Sequence, residues 1–342
     1  MFPGASASAA IHRNGSWSTI DATAGALNVG GAQVEPNAIY DLASVTKPWV
    51  AMTAVALHQT GAFDLGAEVS TLIPESRGLP IGERSWEEVL SHRSGLDAWH
   101  AFYESAPPDP GSESTRAWFL RALLPRWDAA RVGTSLYSDL GYILAGVALE
   151  RATSTTLDAL IGKRLASPLG VNDEAFFAAA TSNETWKECC ATTGTSTWRK
   201  RTLLGEVHDD NCAAFGGVAG HAGMFGTARA VRAFGCAWVS AWHGRRGALD
   251  EEAIRFATAE RPGGTHRLGW DGKAKSGSAA GSRMGPRSFG HLGFTGTSLW
   301  CDPDRQLVVV LLTNRVAVSD DNAAIRAFRP AFHDAVVGAL EA

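Results

Sequence analysis

The chain lacks most of the signatures that make an assignment quick. Its 342 residues hold 31 basic against 35 acidic side chains, a net charge of −4, so no global positive field recruits nucleic acid. The longest strongly apolar run, Leu307 to Leu312, is far too short to span a bilayer. The five cysteines (Cys189, Cys190, Cys212, Cys236, Cys301) are odd in number and scattered. With no CxxC and no metal-finger spacing they read as buried free thiols, which leans towards a reducing compartment. There is no HExxH or HxH pair, no GKS/T after the glycines at 216, 217, 220 and 223, and no GxSxG elbow. No repeat or low-complexity tract stands out. The opening MFPGASASAAIHR lacks the charged start and apolar stretch of a secretory signal. That fits a cytoplasmic protein, or a periplasmic or secreted one whose N-terminus has been trimmed.

What is present is a folding chain. Hydrophobic residues make up 45% of it, which excludes disorder, and at roughly 150 residues per domain the length suggests about two lobes. Runs with strand character, Ala5 to His12 and Trp17 to Thr23, flank Arg13-Asn14-Gly15-Ser16, a hairpin signal because both turn positions tolerate positive φ. Ser288 to His291, Thr297 to Cys301 and Leu307 to Thr313 read as three more strands, the last two joined by the turn Asp302-Pro303-Asp304-Arg305. A closing helix is expected from about Asp321 to Leu340, apolar at Ala324, Ile325, Phe328, Phe332, Val336 and Val337. Trp49 to Leu57 is apolar on nearly every side and predicts a buried helix closed by Gly61. Tyr142 to Ala152, Leu157 to Leu165 and Ala228 to Trp242 are further helices. The economical architecture is an α/β fold. An antiparallel sheet from both chain ends (1–60 and 285–342) is flanked by helices, with a mostly helical lobe (61–284) inserted and a cleft between the two.

Ahead of the buried helix runs Asp41-Leu42-Ala43-Ser44-Val45-Thr46-Lys47-Pro48. Proline belongs in a helix's first turn, so Pro48 places Ser44 and Lys47 at the entry turn, three residues apart on one face. A serine and lysine so placed form a nucleophile–base pair; the plainer alternative is a serine cap and a solvated lysine. The apolar helix that follows argues for burial. Only six lysines exist, and Ser44 is the only serine three positions before one.

Two more segments follow in order: Tyr137-Ser138-Asp139 ahead of a helix, and His291-Leu292-Gly293 on a strand near the C-terminus. With Ser44-Val45-Thr46-Lys47 they resemble the three motifs of the penicillin-recognising serine hydrolases: class C β-lactamases, D-alanyl-D-alanine peptidases and related esterases. YDLASVTKP, SHRSGL and GHLGFTGTSLWCDPD are similar to that family too, and Gly205 to Ala228 resembles its β-lactamase-like branch found beside glycosidases. The match runs from Pro3 to about Arg315. The resemblance implies a β-lactamase/DD-peptidase-like fold with Ser44 as acylated nucleophile, Lys47 as its base partner and Tyr137 shuttling the proton. It also implies an oxyanion hole from the backbone N–H groups of Ser44 and Phe294, each worth about 3 kcal/mol in a dry site. Asp139, His291, Leu292, Gly293 and Thr295 would line the substrate site.

Three departures from the motifs bear on substrate. Asp139 replaces asparagine, so a carboxylate would pair with Lys47, raise its pKa and remove an amide donor. His291 replaces lysine, which makes its charge conditional near neutral pH. Leu292 removes a hydroxyl that would hold a carboxylate, for which Thr295 and Thr297 could partly substitute. The family's usual N-terminal helix is also missing before the hairpin, so the final helix is expected to show an apolar stripe open to a partner subunit or to missing residues.

Other constellations read plainly. His208, Asp209, Asp210 and His221 fix a loop by hydrogen bonds rather than holding a metal. The glycines between 216 and 223 permit a tight turn beneath the cleft, and His92 is structural. Trp99, Trp198 and Trp270 are candidates for an acyl or aromatic pocket. The expectation is a serine acyl-hydrolase, free of metal and cofactor, that cleaves a small-molecule ester, amide or peptide. A true β-lactamase, and a weakly catalytic penicillin-binding or scaffold protein, are the alternatives. No nucleic-acid partner and no membrane span are expected; a homo-oligomer is possible.

Overall fold

The computed structural model describes residues 1–245, 247 and 250–341. Strands β1 (Gly4–Arg13) and β2 (Ser16–Gly25) form the N-terminal hairpin. Its two-residue turn places Asn14 at φ 52° and Gly15 at φ 82°, the left-handed pair that an Asn-Gly hairpin turn needs. β3 (Tyr40–Asp41) leads into a 3₁₀ turn at Ala43–Val45 and then helix α1 (Thr46–Gln59). The middle of the chain supplies α2 (Trp86–Leu90), α3 (Glu113–Leu123), α4 (Asp139–Thr153), α5 (Leu157–Ile161), β4 (Ala175–Phe177), β5 (Thr195–Ser196), β6 (Arg201–Thr202), α6 (Asp210–Ala214) and β7 (Met224–Gly226). After α7 (Ala228–Trp242), α8 (Glu251–Thr258) and β8 (Asp271–Gly272) come β9 (Phe289–Leu292), β10 (Ser298–Asp302), β11 (Leu307–Thr313) and the closing helix α9 (Ala323–Glu341).

The main sheet is six-stranded and antiparallel, in the order β2-β1-β11-β10-β9-β8. The two chain ends therefore meet at its centre, where β1 pairs with β11 from Ala5↔Thr313 to Ile11↔Leu307. β11 is apolar without alternation because helices cover both of its faces. Val308, Val310 and Leu312 join the large core with Phe234 and Trp238 of α7, while Leu307 and Val309 join a smaller one with Val337 of α9. The sheet thus draws on more of the chain than 1–60 and 285–342, since β8 comes from the intervening stretch, as does α7, which packs on one of its faces.

The expected stripe on α9 is mostly turned inward. Its fully buried face is Ile325, Arg329, His333 and Val337. Phe328 and Phe332 are half-buried and stacked on each other, and Phe2 meets Phe328 edge-on at 5.4 Å between ring centroids. Phe2 thus packs on part of this face. The longest sustained exposure lies instead on β2, which is exposed at nearly every position. No described helix is long and apolar enough to cross a membrane.

Candidate active site

From Ala38 to Leu57 every residue is buried except Ser44. The chain achieves this with a strained entry: Ala43 takes φ 47°, rare for a residue with a side chain. Asp41 supports the strain, because its carboxylate accepts the Ala43 N–H at 2.8 Å and the His208 N–H at 2.7 Å. Burial pushes the Asp41 carboxyl up to about 6 despite these two bonds. Sequence reasoning did not single out Asp41, and it sets the direction of the nucleophile turn.

Lys47 is the second residue of α1, and its side chain is wholly buried. Its Nζ lies 2.9 Å from Ser44 Oγ, 3.0 Å from the His221 carbonyl oxygen and 2.6 Å from Asp139 Oδ1. The contact with Asp139 is an ion pair rather than an aligned hydrogen bond, for Oδ1 meets no donor at a bonding angle. Burial on its own pulls the ammonium down, but the Asp139 charge and then the Tyr137 oxygen outweigh it and the net shift is upward. Lys47 therefore rests as an ammonium.

Tyr137 and Asp139 are placed by the start of α4. Ser138 caps that helix, its Oγ accepting the Gly141 N–H at 3.2 Å and donating to the Asp97 carbonyl at 2.7 Å. His92 Nδ1 accepts the Ser138 N–H at 2.9 Å, and burial keeps the ring neutral, so His92 anchors this segment. The Tyr137 ring lies 4.8 Å from Lys47 Nζ at its centroid, with its hydroxyl facing both Lys47 and Ser44. Burial raises the phenol above its ordinary value against the pull of the Lys47 ammonium.

The opposite wall is the turn after β9. A side chain at Gly293 would meet Thr297 Oγ1 at 1.9 Å and the Leu42 carbonyl at 2.7 Å, so only glycine lets this strand end pass so near the nucleophile turn. Thr295 and Thr297 tie the two together, donating to the carbonyls of Asp41 at 2.7 Å and Leu42 at 3.0 Å. This corrects the expectation for Thr295 and Thr297: both hydroxyls are buried and bound to backbone behind the nucleophile, so neither faces a substrate. Two buried arginines complete the turn. Arg329 donates to the carbonyls of Gly293 and Thr297, each at 2.7 Å, and Arg315 donates to that of Phe294 at 2.7 Å. The Phe294 N–H meets no acceptor among the described residues and borders the same cleft as Ser44.

His291 also departs from expectation. Burial, followed by the Lys47 ammonium, pushes its pKa well below 6.5, so its charge does not change near neutrality. Its Nδ1 lies 2.9 Å from the Leu292 carbonyl oxygen, which assigns the ring proton to that nitrogen and leaves Nε2 an acceptor.

Ser44, Tyr137, Asp139, His291, Leu292, Gly293 and Phe294 line one cleft of about 790 Å³. Its rim carries Trp99, half exposed, and Tyr103, against which Trp198 packs at 5.4 Å. Trp270 is instead core, 5.0 Å from Trp238, and lines no pocket here. The loop above Lys47 is fixed by its own polar residues. Asp209 caps α6 through the Cys212 N–H at 2.7 Å and meets His221 Nε2 at 3.1 Å, while Asp210 binds Ser196 and Arg199. Burial opposes the charge on Asp209, yet His221 and the Cys212 N–H hold its carboxyl down at about 2.

A sequence profile of the Beta-lactamase family matches residues 3–330. The chain belongs to that family. It is a serine hydrolase of the β-lactamase and penicillin-binding-protein type. A Salmonella agona protein named "Putative D-alanyl-D-alanine carboxypeptidase" is 26% identical over 301 residues, covering 82% of this chain and 70% of that one. Among solved structures, the octameric penicillin-binding protein homologue from Pyrococcus abyssi superposes with a TM-score of 0.73 at 18% identity, over 97% of this chain and 74% of that one. EstCE1, a hydrolase with promiscuous acyltransferase activity, gives 0.73 at 21% identity, over 96% and 94%. These likenesses establish the shared fold: an antiparallel sheet with flanking helices.

Proposed function

We propose that Ser44 is the acylated nucleophile of an esterase- or D-Ala-peptidase-like hydrolase. The observation that carries this reading is the exposure of Ser44 alone within a buried stretch, at the wall of the cleft, with Lys47 Nζ 2.9 Å from its hydroxyl. As Ser44 Oγ attacks the acyl carbon, its proton passes to Lys47 while one Lys47 proton passes to Asp139, so the lysine remains an ammonium throughout. The N–H groups of Ser44 and Phe294 hold the developing oxyanion. Tyr137 then delivers its phenolic proton to the leaving alcohol or amine and is reprotonated through Lys47 by the proton held on Asp139, after which water attacks the ester on Ser44. His291, Leu292 and Gly293 form the strand edge along which the substrate lies.

Substrate choice follows from charge. Leu292 gives no hydroxyl to a carboxylate, and Asp139 gives no amide donor, which favours esters and peptides over β-lactams. Arg326 lines the cleft and has no carboxylate within 4 Å among the described residues, so it is the group placed to receive a peptide's C-terminal carboxylate. A Salmonella agona relative carries the carboxypeptidase name, in keeping with that choice. The test is labelling with a fluorophosphonate or a tagged penicillin, read by intact mass: one adduct is expected, absent in Ser44→Ala. A folded protein that takes no label, or labels equally without Ser44, overturns the reading.

Self-association is the second element. β2 has a free edge and exposed faces, the surface on which a second copy could add strands. Light scattering on wild type and Ile20→Lys tests it: an oligomer that the charge dissolves is expected, and a monomeric wild type refutes it.

A further inference from the structure

Beside the cleft, separated from it by the turn at 265–272, lies a second cavity of about 700 Å³. The turn is a tight hairpin, with Gly272 N–H donating to the Thr265 carbonyl at 2.9 Å and Arg267 N–H to that of Trp270 at 2.7 Å. His266 and Asp271, paired across it, face the catalytic cleft; Arg267 and Gly272 face the second cavity. The lining is strongly basic: Arg261, Arg267, Lys273, Lys275, Arg283 and Arg305, against Glu260 as the single acidic residue.

Three of these cations are already engaged. Arg261 meets Glu87, Arg283 meets Glu341, and Arg305 meets Asp302 and Glu341. Arg267, Lys273 and Lys275 have no carboxylate within 4 Å among the described residues; Lys273 Nζ donates to the carbonyls of Ser282 and Met284, which leaves it one free proton. Arg267 is the informative one. It is only 4% exposed, its Nε is buried without an acceptor, and its guanidinium makes no hydrogen bond among the described residues. A side chain at position 272 would sit 2.8 Å from its Nη2, so glycine there is what leaves the guanidinium room. The charges of Glu260 and Asp271 act on it from beyond 4 Å, but burial outweighs them, so the guanidinium is left without a direct counter-charge.

We propose that this cavity is an anion site for a phosphate-bearing small molecule, held by the Arg267 guanidinium with Lys273 and Lys275. The planar fork of arginine matches two phosphate oxygens, and two further ammonium groups suit a multiply charged oxyanion. A half-open cavity of this volume fits a small ligand rather than a nucleic-acid strand, and the chain's net negative charge argues the same way.

The site is tested by calorimetric titration of the full chain with inorganic pyrophosphate in low-chloride buffer, so the result does not depend on turnover by Ser44. One saturable site is expected. Lys275→Glu, at an exposed position that leaves the core untouched, should weaken it by about tenfold or more, Arg267→Gln should abolish it, and Arg326→Gln should leave it unchanged. Three results overturn the proposal. They are no saturable binding, equal binding by wild type and Lys275→Glu, and loss in Arg326→Gln alone, which would put the anion in the catalytic cleft. Citrate displacing pyrophosphate with the tighter affinity overturns the assignment to phosphate.

Discussion

Asp139→Asn is the most discriminating change to make, because it restores the amide usual in related motifs while removing the counter-charge of Lys47. At 2.6 Å and an effective dielectric of about 20, two unit charges attract by about 6 kcal/mol. Much of that offsets the desolvation of an ammonium with no exposed surface. Breaking such a pair by removing one partner typically destabilises by about 3–5 kcal/mol. Asparagine keeps a carbonyl dipole, and Ser44 Oγ and the His221 carbonyl still face Nζ, so the lower end, about 3 kcal/mol, is expected.

The pH dependence carries a definite sign. In the wild type the folded pKa of Lys47 stands above 10.5, so its contribution to stability is fully present below 10.5 and lost as pH rises past the folded value. In Asp139→Asn burial acts without the carboxylate, the folded value drops below 10.5, and the variant gains relative stability as its lysine discharges. Urea unfolding of both proteins across the alkaline range should show the gap between them closing as pH rises. Kinetically, the variant loses the proton acceptor behind Lys47, and acylation by p-nitrophenyl acetate at neutral pH should fall by about 10²-fold. A variant as fast as wild type would refute the proton route. A stability gap independent of pH would refute the ion pair as its cause.

Three further outcomes follow from neighbouring residues. His291→Gln should leave the shape of the kcat/KM profile around pH 6.5 unchanged, since the native ring is already neutral there; because a depressed histidine pKa gives stability that is lost as pH falls below 6.5, the variant should also lose less stability in acid, which urea unfolding checks. Arg326→Gln should raise KM for a D-Ala-D-Ala peptide by about tenfold while leaving p-nitrophenyl acetate hydrolysis unaltered; an equal effect on both substrates would remove Arg326 from carboxylate recognition. Arg329→Met removes the charged donor from two buried carbonyls, which keep only the backbone N–H groups of Gly296 and Gly293, and should destabilise by about 2–4 kcal/mol, with kcat falling more than KM rises; circular dichroism and steady-state kinetics together check it.

The parts of this molecule that were legible in sequence are those written in local pattern. The Asn14-Gly15 turn, the apolar β11, the buried α1 and the Ser44–Lys47 spacing each declare themselves within a few residues. What escaped is the scaffold that aims the oxyanion donors. Thr295 bonds a carbonyl 254 positions away and Thr297 one 255 away, and no local period can announce such a pair. Both looked like substrate ligands because a hydroxyl beside a motif reads the same in sequence whichever way it points. Arg329 did leave a signal. The inward face of α9 repeats every four residues as Ile325, Arg329, His333 and Val337, two polar groups within an apolar face. Buried polar groups on such a face need partners, and here His333 reaches the Ala279 carbonyl while Arg329 reaches Gly293 and Thr297.

The same reasoning explains why the Lys47 environment could be foreseen and the His291 environment could not. Lys47 takes its character from a charged partner, Asp139, whose presence in the second motif is visible as a letter. His291 takes its character from burial, which depends on Leu292, Tyr137 and the packing of a whole sheet edge. Charge pairing in this site is therefore encoded by composition at two of the motifs, whereas desolvation is encoded only by the assembled fold. A chain that keeps all three motifs but loosens the packing behind β9 would keep the Lys47–Asp139 pair. It would regain a titrating histidine and lose the fixed Phe294 N–H, and on this account lose transition-state stabilisation while still binding substrate.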